Sequence, residues 1–553
     1  MNTRDYLNGI STDGYEFFGA HKRKSNDYIF RLLAPNAKEA YIAGDFNKWE
    51  KTPMRKYSTG VFSVTIENAK NLDEYEYEII DKDGNSYKKL DPYSKKINLD
   101  EGTSFILDEG YKFKYKKSKN EAKNIYQIHL GAMFRSNKDK SKIYDQIVKH
   151  AKENNFSHVQ LMPISEYKNY KQMGYSSIGH FAFSSRYGDL KDFKEFVDKL
   201  HKEKIGIIVE LDIAEFDPDF LYLDRFDGTN SYNYDYDNIK YNYFGAINFD
   251  PTKGLVRSYI LSLVEYYTKV LNIDGIFFPS AENMIFWQGD RNRGINQEWL
   301  DLINQINDLI RANKSFSIGG INGSYDGLDL SFDYIFDSRF KNMIELFKTE
   351  PINRANFQAY VRALIANDTY KIIHGFSYVD SIVNEASLAM KMYSHDRKFE
   401  QLKTLLTFLY SLKSTKTIFM GDELADFDTF SIYDEFTYEK FDQYQIKFND
   451  FYKDLTQLFI NNKSLSNTDS DVNILDIEGY SLYAFERTYK NEKLLVITNF
   501  TDIEYKINAP YDLEELINTD DLKYMGDGNT NGLIKRGEDI RLAPYNSAIF
   551  KIK

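Results

Sequence analysis

The chain contains no cysteine in its 553 residues, which excludes disulfides, thiolate metal sites and cysteine nucleophiles. It has only 10 prolines and no low-complexity tract, so long disordered segments are not expected. No run reaches the ~20 apolar residues that span a bilayer. The opening MNTRDYLNGI lacks the apolar core of a secretion signal; the expectation is a cytoplasmic protein with no membrane partner. The eight histidines are scattered, with no His-x-x-x-His pair and no His/Asp cluster at ligand spacing, and there is no Walker-type glycine loop. Neither a metal nor any cofactor is expected. The formal net charge is −12 with the two signs interleaved, which disfavours nucleic acid and suits a neutral ligand. Tryptophan is rare, at 3 against 44 Tyr and 41 Phe. The excess of Tyr, together with Lys, Asn and Ile, is better explained by biased codon usage than by sugar-stacking sites.

A chain of this length exceeds one hydrophobic core, and two to four domains are expected. Between residue 14 and about residue 110, the β-rich runs YEFFGA, DYIFRLLAP, EAYIAGDF, GVFSVTI and YEYEIIDKDGNSY are separated by turn signals, the pattern of an antiparallel sandwich. After a Lys-rich stretch the pattern changes to eight short apolar runs: IYQIHL, HVQLMPI, IGIIVEL, IDGIFFP, SFSIGGI, FDYIFDS, YKIIHGF and TKTIFMG. Amphipathic segments lie between them. In one, Leu190, Phe193, Val197 and Leu200 share a face and Asp189 stands where it can cap the start. Alternation of this kind predicts an α/β fold, a (β/α)8 TIM barrel with a long insertion after its third strand. SLYAFERTY, KLLVITNF and SAIFKI then predict a C-terminal antiparallel sheet domain. The expected division is an N-terminal β-sandwich over 1–115, the barrel over 116–460 and a C-terminal β-sandwich over 461–553.

Local strings are more specific. APNAKEAYIAGDFNKW (Ala34 to Trp49) resembles the N-terminal carbohydrate-binding module of glycogen and starch branching enzymes. Met173 to Glu210 resembles the second and third barrel units of those enzymes, and FDGTNSYNY (Phe226 to Tyr234) resembles their loop after the third strand. IDGIFF, DRKFEQLKTLLTFLYSL, TIFMGDE, LLVITNF and INTDDLKYMGDGN follow in the expected order. The whole chain thus resembles the 1,4-α-glucan (glycogen) branching enzymes of the α-amylase superfamily, a class of glycosyl hydrolase fold.

The resemblance implies a retaining exchange of glucosidic bonds, which needs a carboxylate nucleophile and a carboxylic acid ~5–5.5 Å apart. Here the family's motifs depart from the pattern. The fourth strand gives Asp274, Gly275, Ile276, Phe277, Phe278 and Pro279: Phe277 stands for the orienting arginine and Pro279 for the nucleophile. The fifth gives Gly320 at the general acid's place, and Tyr378 and Val379 match the His-Asp pair that stiffens the transition state. Glu210 and Glu215 fall where the family has an Asp and a later His. No catalytic residue is therefore expected, and the chain reads as a degenerate member, a pseudoenzyme. Asp212, Glu215, Glu282, Asp326 and Asp380 are the carboxylates that a relocated site would draw on; their bland reading is solvated surface or helix caps.

Tyr175 matches the tyrosine that stacks on the sugar ring, although Met173 replaces the tryptophan before it. Trp49, Tyr232 and Tyr234 are further candidates for sugar binding, with Asp45, Phe46 and Asn47 read as holding a turn. Trp299, at helical spacing with Ile303, reads as core. The partners implied are an α-glucan, either glycogen or a maltooligosaccharide, and a second enzyme of glycogen metabolism. Three readings follow: a non-catalytic glucan-binding or regulatory protein, an active branching enzyme or hydrolase with relocated carboxylates, and a protein-binding scaffold without sugar affinity.

Overall fold

The computed structural model describes residues 1–108, 110–136, 139–321, 330–382 and 386–553. The eight apolar runs form a closed parallel barrel in chain order. Its strands are β1 (Asn124–Ile128), β2 (His158–Leu161), β3 (Gly206–Glu210), β4 (Gly275–Phe278), β5 (Phe316–Ile321), β6 (Tyr334–Asp337), β7 (Ile372–Gly375) and β8 (Thr415–Phe419). β8 closes the ring by pairing with β1, Ile125 opposite Thr417. Short runs rich in Ile, Val and Phe suit strands buried on both faces, here between the barrel lumen and an outer layer of helices.

The helices form as their periodicity predicts. In Leu190–Lys202, the residues Leu190, Phe193, Val197 and Leu200 are all buried and Asp189 occupies the N-cap; each large apolar side chain so covered is worth ~1.5–3 kcal/mol. Trp299 and Ile303 are buried on Gln297–Ala312. Among the described residues no helix is long and apolar enough to cross a membrane, and no group of three or more His, Asp or Glu side chains is placed to hold a metal ion.

The N-terminal runs pair into two antiparallel sheets, one of four strands and one of six, with Phe30, Ile42, Tyr75 and Tyr77 buried. One run departs from expectation. YEFFGA reads as a strand, yet Gly14–Phe17 is a helical turn and the strand starts only at Gly19. Tertiary contacts decide this: Tyr15 packs edge-on against Tyr266 at 5.6 Å and the Gly14 amide donates to the Ser262 hydroxyl at 3.0 Å. The C-terminal runs form a six-stranded and a two-stranded antiparallel sheet.

The C-terminal sheets are locked to the barrel by Arg354, a fully buried guanidinium. It donates to the carbonyls of Phe347 at 3.1 Å and Thr349 at 3.1 Å, to Gln401 Oε1 at 2.6 Å and, across the domain boundary, to the carbonyl of Phe500 at 2.7 Å. Burial lowers its pKa to about 10, and no carboxylate is among these four acceptors. Removing the donor strands buried acceptors, each costing ~1–3 kcal/mol. Arg354→Met is expected to lower stability by about 3 kcal/mol in urea unfolding, whereas Arg362→Met, on an exposed ion pair with Asp476, stays within about 0.5 kcal/mol.

Candidate functional site

The C-terminal mouth of the barrel is where the family's chemistry would sit. Pro279 directly follows β4, and Gly320 lies one strand over on β5. These two residues, expected at the nucleophile and general-acid positions, touch. A Cβ built on Gly320 would lie 2.6 Å from the Pro279 carbonyl oxygen and 3.1 Å from its Cα. The obstacle is backbone and cannot swing aside. The geometry that omits a carboxylate at 320 therefore also omits the space for one.

Phe277, expected in place of the family's orienting arginine, points into the lumen. It is registered between Glu210 on β3 and Ile318 on β5, and its ring meets Phe336 edge-on at 5.9 Å. The remaining cavity, lined by Gln127, Gln160, Phe277, Ile318, Phe336 and Ile373 among others, measures about 10 Å3. That holds one water at most and no sugar ring. A wider opening of about 400 Å3 lies past the end of β8, bordered by Asp422, Asp426, Phe430 and Phe436. A cavity of about 570 Å3 against the N-terminal sheets is lined by none of the expected site residues.

Above Phe277 the lumen turns polar. Glu210 is buried and accepts from Gln127 Nε2 at 2.6 Å, Gln160 Nε2 at 2.8 Å and the Tyr175 hydroxyl at 2.6 Å. Burial pushes its pKa up, while the three donors pull it back. Gln127 also accepts the Tyr378 amide at 2.9 Å. Tyr175 and Tyr378 stack at 5.9 Å and 26°, so one face of the ring expected to meet sugar is already covered. Gln127 and Gln160 are not among the expected site residues; a Gln set between apolar neighbours, Tyr126 and Ile128 in one strand and Val159 and Leu161 in the other, is the signal that marks them.

The carboxylates that a relocated site would use are dispersed. Glu282 is paired with Arg291 at 3.0 Å. Asp380 accepts from its own loop at the Ser377 amide, 2.8 Å away. Asp326 lies outside the described residues. Val379 is exposed. Among the described ones, Asp212 and Glu215 lie close: both are buried, and burial first, then the Asp212 charge, raises the Glu215 pKa to about 8. Asp212 accepts from the Ala214 amide at 3.0 Å, and Glu215 from the Asn242 side chain. The surface reading of these two acids is thereby corrected: the turn after β3 folds inward and carries both acids beneath the insertion.

Two sugar-binding candidates are also corrected. Tyr232 and Tyr234 are 3% and 7% exposed and pack on Tyr259 and Trp287, so their rings belong to the interior of the insertion. Trp49 is 42% exposed, with its indole N–H on Asp45 at 3.2 Å. Asn47 ties the adjoining turn to the Gly44 amide at 2.8 Å and the Ile42 carbonyl at 3.2 Å, as expected of a turn-holding residue.

Two outcomes follow. Gly320→Ala is expected to cost about 1–3 kcal/mol through overpacking, read as a fall in Tm, and Gly320→Glu more. A carboxyl whose folded pKa is about 8, against ~4.3 unfolded, binds its proton more tightly in the native state. It adds stability fully present below the unfolded pKa and lost as pH rises through the folded one. Glu215→Gln removes that loss: Tm profiles of the variant and parent should agree near pH 4 and diverge toward pH 8.5, with the variant ahead by about 2 kcal/mol or more.

Comparison with known proteins matches these features to one family. The model of carbohydrate-binding module 48 (isoamylase N-terminal domain) matches residues 17–94, and that of the alpha-amylase SusG C-terminal domain matches residues 482–549. The chain is 30% identical over 582 residues to 1,4-alpha-glucan branching enzyme GlgB 1 of Clostridium perfringens (strain SM101 / Type A), covering 94% of this chain and 86% of that one. It is 27% identical to GlgB of Bacillus subtilis (strain 168) over 94% of this chain and 90% of that one. Among solved structures, a pullulanase from Anoxybacillus sp. LM18-11 complexed with maltotetraose superposes with a TM-score of 0.78 at 13% identity, over 100% of this chain and 89% of that one. A putative alpha amylase from Salmonella typhimurium does so at 0.74 and 16%, over 97% and 100%; both likenesses are of fold. Sequence identity over nearly the whole length, the barrel and its flanking modules agree: the chain belongs to the 1,4-alpha-glucan branching enzyme family of the α-amylase superfamily.

Proposed function

We propose that this chain binds α-glucan, glycogen or a maltooligosaccharide, in the cytoplasm without exchanging its linkages, and so serves as a non-catalytic or regulatory protein of glycogen metabolism. The observation that carries the reading is the contact between Gly320 and the Pro279 carbonyl. Retaining exchange needs two carboxylates flanking one anomeric carbon, and at these positions there is an imino ring, a bare Cα and no room between them for a carboxylate side chain. Phe277 supports the same reading by filling the lumen beneath. The carbohydrate-binding module and the exposed Trp49 face support retained affinity for sugar, and a second enzyme of glycogen metabolism is a partner the same role would recruit.

The test combines two measurements on the purified chain. Glycogen should retard it in affinity electrophoresis, and maltoheptaose at ~100 times its Kd should raise its stability by ~2.7 kcal/mol. Amylose incubated with it should show no new α-1,6 linkage and no change in iodine spectrum. Branching above background would overturn the loss of catalysis. Absence of any shift with either glucan would leave a protein-binding scaffold without sugar affinity.

The burial of Asp212 and Glu215 together after β3 favours a second reading, because the Asp212 charge helps to raise the Glu215 pKa as in a paired acid and carboxylate. Under it the chain is an active enzyme with relocated groups, and branching would be present in the parent and lost in Asp212→Asn and in Glu215→Gln.

A further inference from the structure

The insertion after β3 ends in a hairpin whose tip is unlike the rest of the surface. Tyr243 is 95% exposed and Phe244 84%. They touch each other edge-to-face at 5.4 Å and 88°. Tyr236 and Tyr241 beside them are exposed as well. Local structure does not ask for aromatics here: Gly245, with φ +86° and open space around it, supplies the left-handed residue of the turn.

The tip is held firmly. The Asn242 amide donates to the Ala246 carbonyl at 3.0 Å and the Gly245 amide to the Asn242 carbonyl at 3.1 Å. The Asn242 side-chain oxygen accepts from the amides of Phe244 at 2.9 Å and Ala246 at 3.0 Å, while its NH2 reaches down to buried Glu215. Asn248 fastens the base of the loop to the Ile239 carbonyl at 3.0 Å. Two rings are thus presented to solvent on a hairpin pinned to the interior by one asparagine, at the rim where barrel proteins place their ligand loops.

We propose that Tyr243 and Phe244 form a stacking platform for an α-glucan chain, an inference that rests on the glucan-binding reading above and gives that reading its place on the barrel. A pyranose ring presents a C–H face that covers an aromatic ring without any charge, and a tyrosine adds a hydroxyl for the sugar's own. Exposed Asp235 and Asp237 flank the loop and the chain carries −12 overall, which disfavours phosphate-bearing or lipid partners. The two tip rings cover about 300–500 Å2 together, short of the ~800 Å2 per partner of a stable protein interface. The lumen is filled, whereas the two rings at the tip stand open to a long glucan chain.

The experiment compares full-length parent, the double variant Tyr243→Ala/Phe244→Ala, Tyr243→Trp and Asn242→Ala in glycogen affinity electrophoresis and maltoheptaose titration, with Tm recorded for each. The double variant should lose at least about fivefold in affinity at unchanged Tm, Asn242→Ala should weaken binding by misplacing the rings, and Tyr243→Trp should keep it. Unchanged affinity in the double variant while the parent binds overturns the platform and leaves the glucan-binding reading intact. Failure of the parent to bind either glucan overturns both. A parent that self-associates in sedimentation through these rings, with glucan affinity equal in parent and variant, assigns the tip to a second copy and overturns the proposal.

Discussion

The approach of β5 to the end of β4 sets the character of this barrel. Because residue 320 is glycine, its Cα can lie against the Pro279 carbonyl, and because the two strands sit that close, nothing with a Cβ fits between them. Close packing transmits this inward: Phe277 takes the lumen below, Phe336 and Ile318 pack around it, and a cavity for one water is left. Backbone at 279 thus limits what residue 320 can carry, and the Phe277 ring limits what the lumen below can hold.

A second constraint is charge without counter-charge. Glu210, Asp212, Glu215 and Asp217 are all buried along the segment that leaves β3, and the partners named for the first three are amides and hydroxyls, not cations. Buried carboxylates served only by neutral donors favour their protonated forms, so this face of the barrel is sensitive to alkaline pH. The same segment connects inside to outside: Glu215 holds Asn242, and Asn242 holds the hairpin that exposes Tyr243 and Phe244.

Much was legible in the residues themselves. Each of the eight apolar runs became a barrel strand in order, because short β-branched and aromatic runs between amphipathic helices have one economical closure. Leu190, Phe193, Val197 and Leu200, and Trp299 with Ile303, went to the core as their spacing required. The strings Ala34 to Trp49, Met173 to Glu210 and Phe226 to Tyr234 were enough to recognise the family.

The sequence by itself determined the element order, the barrel, the flanking sheets and the residue types available at the mouth, since these follow from period, turn chemistry and local identity. Tertiary structure alone decided that Gly320 and Pro279 meet, that Tyr175 spends one face on Tyr378, that Tyr232 and Tyr234 are interior while Tyr243 and Phe244 are not, and that Tyr15 ends up in a helical turn. All of these depend on contacts between residues far apart in the chain, whose distances no local pattern encodes.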